Sequence, residues 1–80
     1  MNVKEVTAKM LWNIRAEMNE KERVTDKQLA QKLGITPASF SRLITGKTEP
    51  KIMTWYKIYL MHRTYKGLQK TTELLSLMEW

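Results

Sequence analysis

Cysteine is absent from this 80-residue chain, so no disulfide staples it and no thiolate zinc site stabilises it. Three glycines and two prolines leave no material for a flexible linker, a proline-rich spacer or a low-complexity tract. No apolar run approaches the ~20 residues that cross a bilayer. Lys4, Glu5 and Lys9 break up the stretch where a signal-peptide core would lie. No strand-like alternation competes with helical spacing, although the aromatics around Trp55 and Tyr56 carry some β propensity. His62 is the only histidine, and no cluster of carboxylates surrounds it in sequence. With no phosphate-binding glycine loop, no nucleophile–base pair and no metal-ligand spacing, the chain is expected to have no catalytic residues, metal or cofactor, and not to be an enzyme.

Acidic residues are scarce in one region only. Residues 27–70 hold nine lysines or arginines against Glu49 alone, whereas residues 1–26 hold five basic and five acidic side chains. The net charge of +6 therefore belongs to the middle and later part of the chain. Such a field attracts polyanions and makes binding salt-dependent through counterion release. The absent cysteines and the absent membrane span agree with a cytoplasmic location.

What is present is a helical pattern over one domain, residues 1–80, near the lower limit for a chain that buries its own core. A first helix is expected from Val3 to Met18, with Val3, Thr7, Met10, Leu11, Ile14 and Met18 facing inward and the polar run 19–23 closing it. A fourth is expected from Ile52 to about Tyr65, with Ile52, Trp55, Ile58, Tyr59 and His62 toward the core and Met53, Tyr56 and Leu60 as a second stripe on another side. A fifth is expected from Thr72 to Glu79 on the strength of Leu74, Leu75, Leu77 and Met78. The fold class that follows is all-α, a compact five-helix bundle.

The most specific pattern lies between Thr25 and Lys47. Thr25 followed three residues later by Gln28 is a capping box that opens a helix. Leu29, Ala30 and Leu33 share one face, and Gly34 is suited to the left-handed position that ends it. Thr36 can cap a further helix with Pro37 in its first turn. Phe40, Leu43 and Ile44 recur at helical spacing until Gly46. Two helices of about eight residues around a three-residue turn must cross steeply, and Ala30 is small where they approach. Pro37, Ala38, Ser41, Arg42 and Thr45 are left on a convex outer ridge that fits a DNA major groove.

At these residues the chain resembles the lambda repressor, Cro and Xre-type helix-turn-helix regulators. Ala30, Gly34, Ile35, Phe40 and Leu43 stand at that family's small, glycine and apolar positions, and Gly-Lys-Thr-Glu-Pro50 is similar to its Gly-Lys-x-x-Pro loop. The resemblance implies a DNA-binding domain in which the helices from Thr25 to Leu33 and from Pro37 to Ile44 are helices 2 and 3. The bases would be read by Arg42, Ala38, Ser41 and Pro37. Arg42 is the strongest of these, since a guanidinium can hold guanine O6 and N7 together. Pro37 and Ala38 depart from the long polar side chains common at those positions, so shape and deformability of the DNA would supply part of the specificity. Lys47, Thr48, Lys27 and Thr45 are candidate phosphate contacts. Asp26 stands where many relatives carry a glutamine that donates to phosphate, and a carboxylate there would repel one; it can instead complement the dipole of helix 2. Ser39 is expected to cap or pack.

Helix 4 is too apolar for one buried face. Its second stripe is covered either by the fifth helix folding back or by a twin subunit, with residues 68–80 as the packing or dimerisation segment. A dimer seam would comprise Met53, Tyr56, Leu60, Leu74, Leu77 and Met78, with Trp80 as a terminal plug or a frayed end. Trp12 lies off the inward stripe of the first helix. The expected function is a sequence-specific DNA-binding regulator, a Cro-type or small controller-type repressor acting as a homodimer on a two-fold operator in double-stranded DNA, with no membrane and no small-molecule ligand. The alternative is an antitoxin or adaptor that uses the same fold to bind another protein; a buried recognition helix would favour it.

Overall fold

In the computed structural model, which describes residues 1–78, five helices follow one another: α1 (Val3–Lys21), α2 (Asp26–Leu33), α3 (Pro37–Ile44), α4 (Ile52–Lys66) and α5 (Leu68–Leu75). Side chains set three of the five starts. Asn2 accepts from the Glu5 N–H at 2.9 Å. Thr25 and Gln28 exchange both bonds of a capping box, at 2.9 and 3.1 Å. Thr36 Oγ1 accepts from the Ser39 N–H at 3.1 Å, with Pro37 at the first helical position, where its missing N–H costs nothing. α4 and α5 begin without a side-chain cap. Gly67 lets α5 start at once after α4, because its φ of 92° and ψ of 158° belong to a region that only glycine occupies freely.

α1 is the beam of the bundle. Val6, Thr7, Met10, Leu11, Ile14 and Met18 are buried along it, against α3 on one side and α4 on another. Val6 belongs to this stripe, and Val3, expected inside, is half-buried at its edge. Leu29, Ala30 and Leu33 from α2 and Phe40, Leu43 and Ile44 from α3 complete the apolar core with Ile58. Burial of each such large side chain contributes roughly 1.5–3 kcal/mol against leaving it in water. α1 also continues past Met18 to Lys21; the Glu22 N–H still reaches the Met18 carbonyl at 2.9 Å, and Asn19 Oδ1 takes the Val24 N–H at 3.1 Å only beyond it.

Three expectations are corrected. α5 runs over Leu68–Leu75, not from Thr72, because Thr71 in its first turn is the buried anchor. Glu79 and Trp80, where the expected helix ends and the terminal plug was placed, lie outside the described residues. Ile52, expected in the core, is 82% exposed; α4 meets α1 along a narrow stripe in which Ile58 and His62 alone are buried, with Trp55 and Tyr59 half-buried beside them. Met78, placed in a dimer seam, is only 7% exposed and packs into this chain's own core, where Leu74 and Leu75 also lean. Of the C-terminal seam residues, Leu77 alone is exposed. α5 does not cover the second stripe of α4, so Met53, Tyr56 and Leu60 remain in solvent. No helix among the described residues is long and apolar enough to cross a membrane.

Candidate nucleic-acid interface

The turn between α2 and α3 is closed by two backbone bonds, Gly34 N–H to Gln31 O at 3.1 Å and Ile35 N–H to Ala30 O at 3.0 Å. This is the Schellman arrangement, and it requires the left-handed φ of 70° that Gly34 adopts. A Cβ added there would lie 3.1 Å from Lys57 Nζ of α4. The turn aims α3 so that Phe40, Leu43 and Ile44 point inward while Pro37, Ala38, Ser41, Arg42 and Thr45 are all exposed. The four base-reading candidates thus share one bare surface.

The hydrogen bonds on that surface separate the roles. Ser39 donates its N–H to the Thr36 cap and accepts the Thr36 hydroxyl, each at 3.1 Å, so its side chain is engaged at the start of α3 without itself capping the helix. Arg42 Nη2 lies 3.5 Å from Ser39 Oγ, at the limit of a hydrogen bond, which leaves the guanidinium free to take a better acceptor. Thr45 is different. Its hydroxyl donates to the Ser41 carbonyl at 2.7 Å, and a phosphate oxygen can only accept; Thr45 therefore closes α3 and does not offer the donor expected of it.

Lys47 and Lys27 are exposed beyond the end of α3 and at the start of α2. Thr48 is half-buried in the wall of an open groove that also holds Arg42, Glu49, Lys51 and Thr54, so the one acidic residue of the basic stretch shares this groove with two of its cations. Asp26 is not left facing a phosphate alone. Arg15 Nη1 reaches both its oxygens, at 3.1 and 3.2 Å, and this pair neutralises the charge that departs from the family pattern.

Sequence reasoning missed the elements that hold this surface. The Arg15 guanidinium sits 4.0 Å above the Trp12 ring, and Trp12 Nε1 donates to the Ile44 carbonyl at 3.1 Å. Trp12 and Arg15 stand three apart on α1, a spacing that does put side chains together; the contact with the end of α3 has no counterpart in sequence spacing. His62 is buried between Asn13 and Thr71, and burial, with a smaller contribution from Lys66, pushes its pKa below the ordinary histidine value. Lys66 in turn donates to Glu17 at 2.8 Å and lowers that carboxyl.

A family model described as helix-turn-helix matches residues 14–58, more than half of the chain, taking in α2, α3 and the first half of α4. No curated protein and no solved structure matches the chain.

Proposed function

Since the chain belongs to the lambda repressor-like helix-turn-helix family of DNA-binding regulators, we propose that it is a Cro-type or small controller-type repressor that reads a two-fold operator as a homodimer. The observation that carries this reading is the bare outer face of α3, with Arg42, Ser41, Ala38 and Pro37 exposed and Lys27 and Lys47 exposed at the far ends of α2 and α3. An adaptor that used this fold for another protein would favour a covered recognition helix. In a homodimer two copies of α3 enter successive major grooves, about 34–36 Å apart along one side of the duplex. The copies pair through α4, where Met53, Tyr56 and Leu60 form an uncovered stripe continuous with Ile52. Occupying a promoter in the cytoplasm and excluding polymerase gives repression.

Lys47 and Lys27 grip phosphates on either side of the groove, which positions the protein without reading sequence. Arg42 reads guanine, Ala38 and Pro37 offer apolar contact to a thymine methyl, and Ser41 reaches a base edge or a phosphate. Selection from a randomised duplex pool tests the whole reading. A two-fold motif with half-sites one helical turn apart, bound more weakly as salt rises, is expected; no enriched sequence together with salt-insensitive binding overturns it.

A further inference from the structure

We propose that Trp12 is a positioning residue for base reading: it fixes the recognition helix through the Ile44 carbonyl and does not itself touch DNA. This rests on the DNA-binding function proposed above. The last four carbonyls of a helix have no partner inside it. In α3 the Ser41 carbonyl takes the Thr45 N–H at 3.2 Å, Arg42 takes the Lys47 N–H at 2.9 Å, and Leu43 takes the Gly46 N–H at 3.1 Å. The fourth, Ile44, takes the indole N–H of Trp12, 32 positions earlier on α1. Three carbonyls are closed within the local turn, and one is closed by a side chain from another element.

Trp12 is itself braced. Arg15 lies over its ring and is tied to Asp26, the first residue of α2. A chain of contacts, Asp26 to Arg15 to Trp12 to Ile44, therefore joins the start of α2 and the end of α3 to the longest helix of the molecule. Apolar packing of Phe40, Leu43 and Ile44 sets how deep α3 sits, but such contact is non-directional. An N–H···O bond is directional, so it fixes the rotation and axial placement of α3. Trp12 is 53% exposed, which is a poor use of an indole for burial and a good one for a tie at the surface. Base contacts demand placement within about 0.5 Å, whereas a lysine on a flexible stem follows a phosphate wherever it lies. The tie therefore acts on specific binding and leaves general affinity alone.

Trp12→Phe keeps a ring beneath Arg15 and removes the indole N–H. The probes are a duplex selected by the wild-type protein from a randomised pool and an unselected duplex of equal length. Affinity for the selected duplex is expected to fall about tenfold, with affinity for the unselected one and the salt slope unchanged. The Gly46 and Lys47 amides should exchange faster while those of α2 hold. Arg15→Lys, which keeps the charge but loses the planar stack, should show a smaller loss on the selected duplex alone and covers the case in which the Phe variant folds poorly. Equal loss on both duplexes, or no loss on either, overturns the proposal. A wild-type protein that prefers no duplex overturns the sequence-specific reading proposed above, and the inference falls with it.

Discussion

His62 Nδ1 lies 2.8 Å from the Thr71 hydroxyl oxygen, and that contact fixes the tautomer of the only histidine in the chain. Thr71 gives its own proton to the Gly67 carbonyl at 3.0 Å, so it must accept from His62, and Nδ1 carries the hydrogen. Nε2 is then an acceptor, and the Asn13 side-chain amide donates to it across 3.1 Å. The neutral imidazole thus links α1, α4 and α5 with each polar group paired.

Protonating that ring would place an N–H against the Asn13 amide nitrogen, and burial already holds the His62 pKa below its ordinary 6.5. The unfolded chain therefore takes up a proton first as pH falls, and stability declines from about pH 6.5 down to the folded value, then levels. The slope is at most about 1.4 kcal/mol per pH unit. Denaturant titrations between pH 7.5 and 5 should show this decline, and His62→Gln should flatten it. Glu17, lowered by its bond to Lys66, acts in a separate window that opens near pH 4.5 and also favours higher pH.

Thr7 provides the opposite case, a buried hydroxyl with no hydrogen-bond partner. Valine has the same shape, so Thr7→Val removes an uncompensated polar group without opening a cavity. A gain of about 1 kcal/mol is expected, or roughly 4–8 °C in thermal midpoint for a domain of this size. An unchanged or lower midpoint in a thermal melt would show that the hydroxyl is satisfied.

The helix-turn-helix was legible because its information is local. Thr25 with Gln28, Gly34, and Thr36 before Pro37 each act on neighbours within four residues, and the structure uses every one of them as the spacing predicts. Fold class followed from the same spacing. Position along α5 was less legible, since Gly67 both ends one helix and permits the next, and only the long-range contact of Thr71 with His62 shows why the second starts so early. Met78 looked like seam material because an apolar residue near a terminus carries no mark of what covers it. The contacts of Trp12 and Asn13 depend on how α1 lies across α3 and α4, which periodicity does not contain.

The exposed stripe of α4 predicts a change of oligomeric state. Met53 is 67% and Leu60 38% exposed, so charges there leave the monomer fold intact. Wild-type protein should sediment as a dimer at micromolar concentration, and Met53→Glu with Leu60→Glu should sediment as a monomer with unchanged helical content. A wild-type monomer would remove α4 from the pairing surface.

Arg42 and Lys47 separate reading from grip. Arg42 stands on the bare face of α3, one turn in, with its guanidinium held by a hydrogen bond stretched to 3.5 Å; Lys47 stands beyond the helix end. A bidentate arginine–guanine contact discriminates by about 1–3 kcal/mol, so Arg42→Ala should relax preference at one base position in each half-site while other positions keep theirs. Lys47→Ala should weaken every duplex alike and lower the slope of log affinity against log salt by about 1 per subunit, because one phosphate contact releases one counterion fewer. Binding to selected and single-position-variant duplexes across a salt series measures both effects. If Arg42→Ala weakens all sequences equally, its guanidinium holds a phosphate, and specificity rests on the shape of the DNA that Pro37 and Ala38 approach.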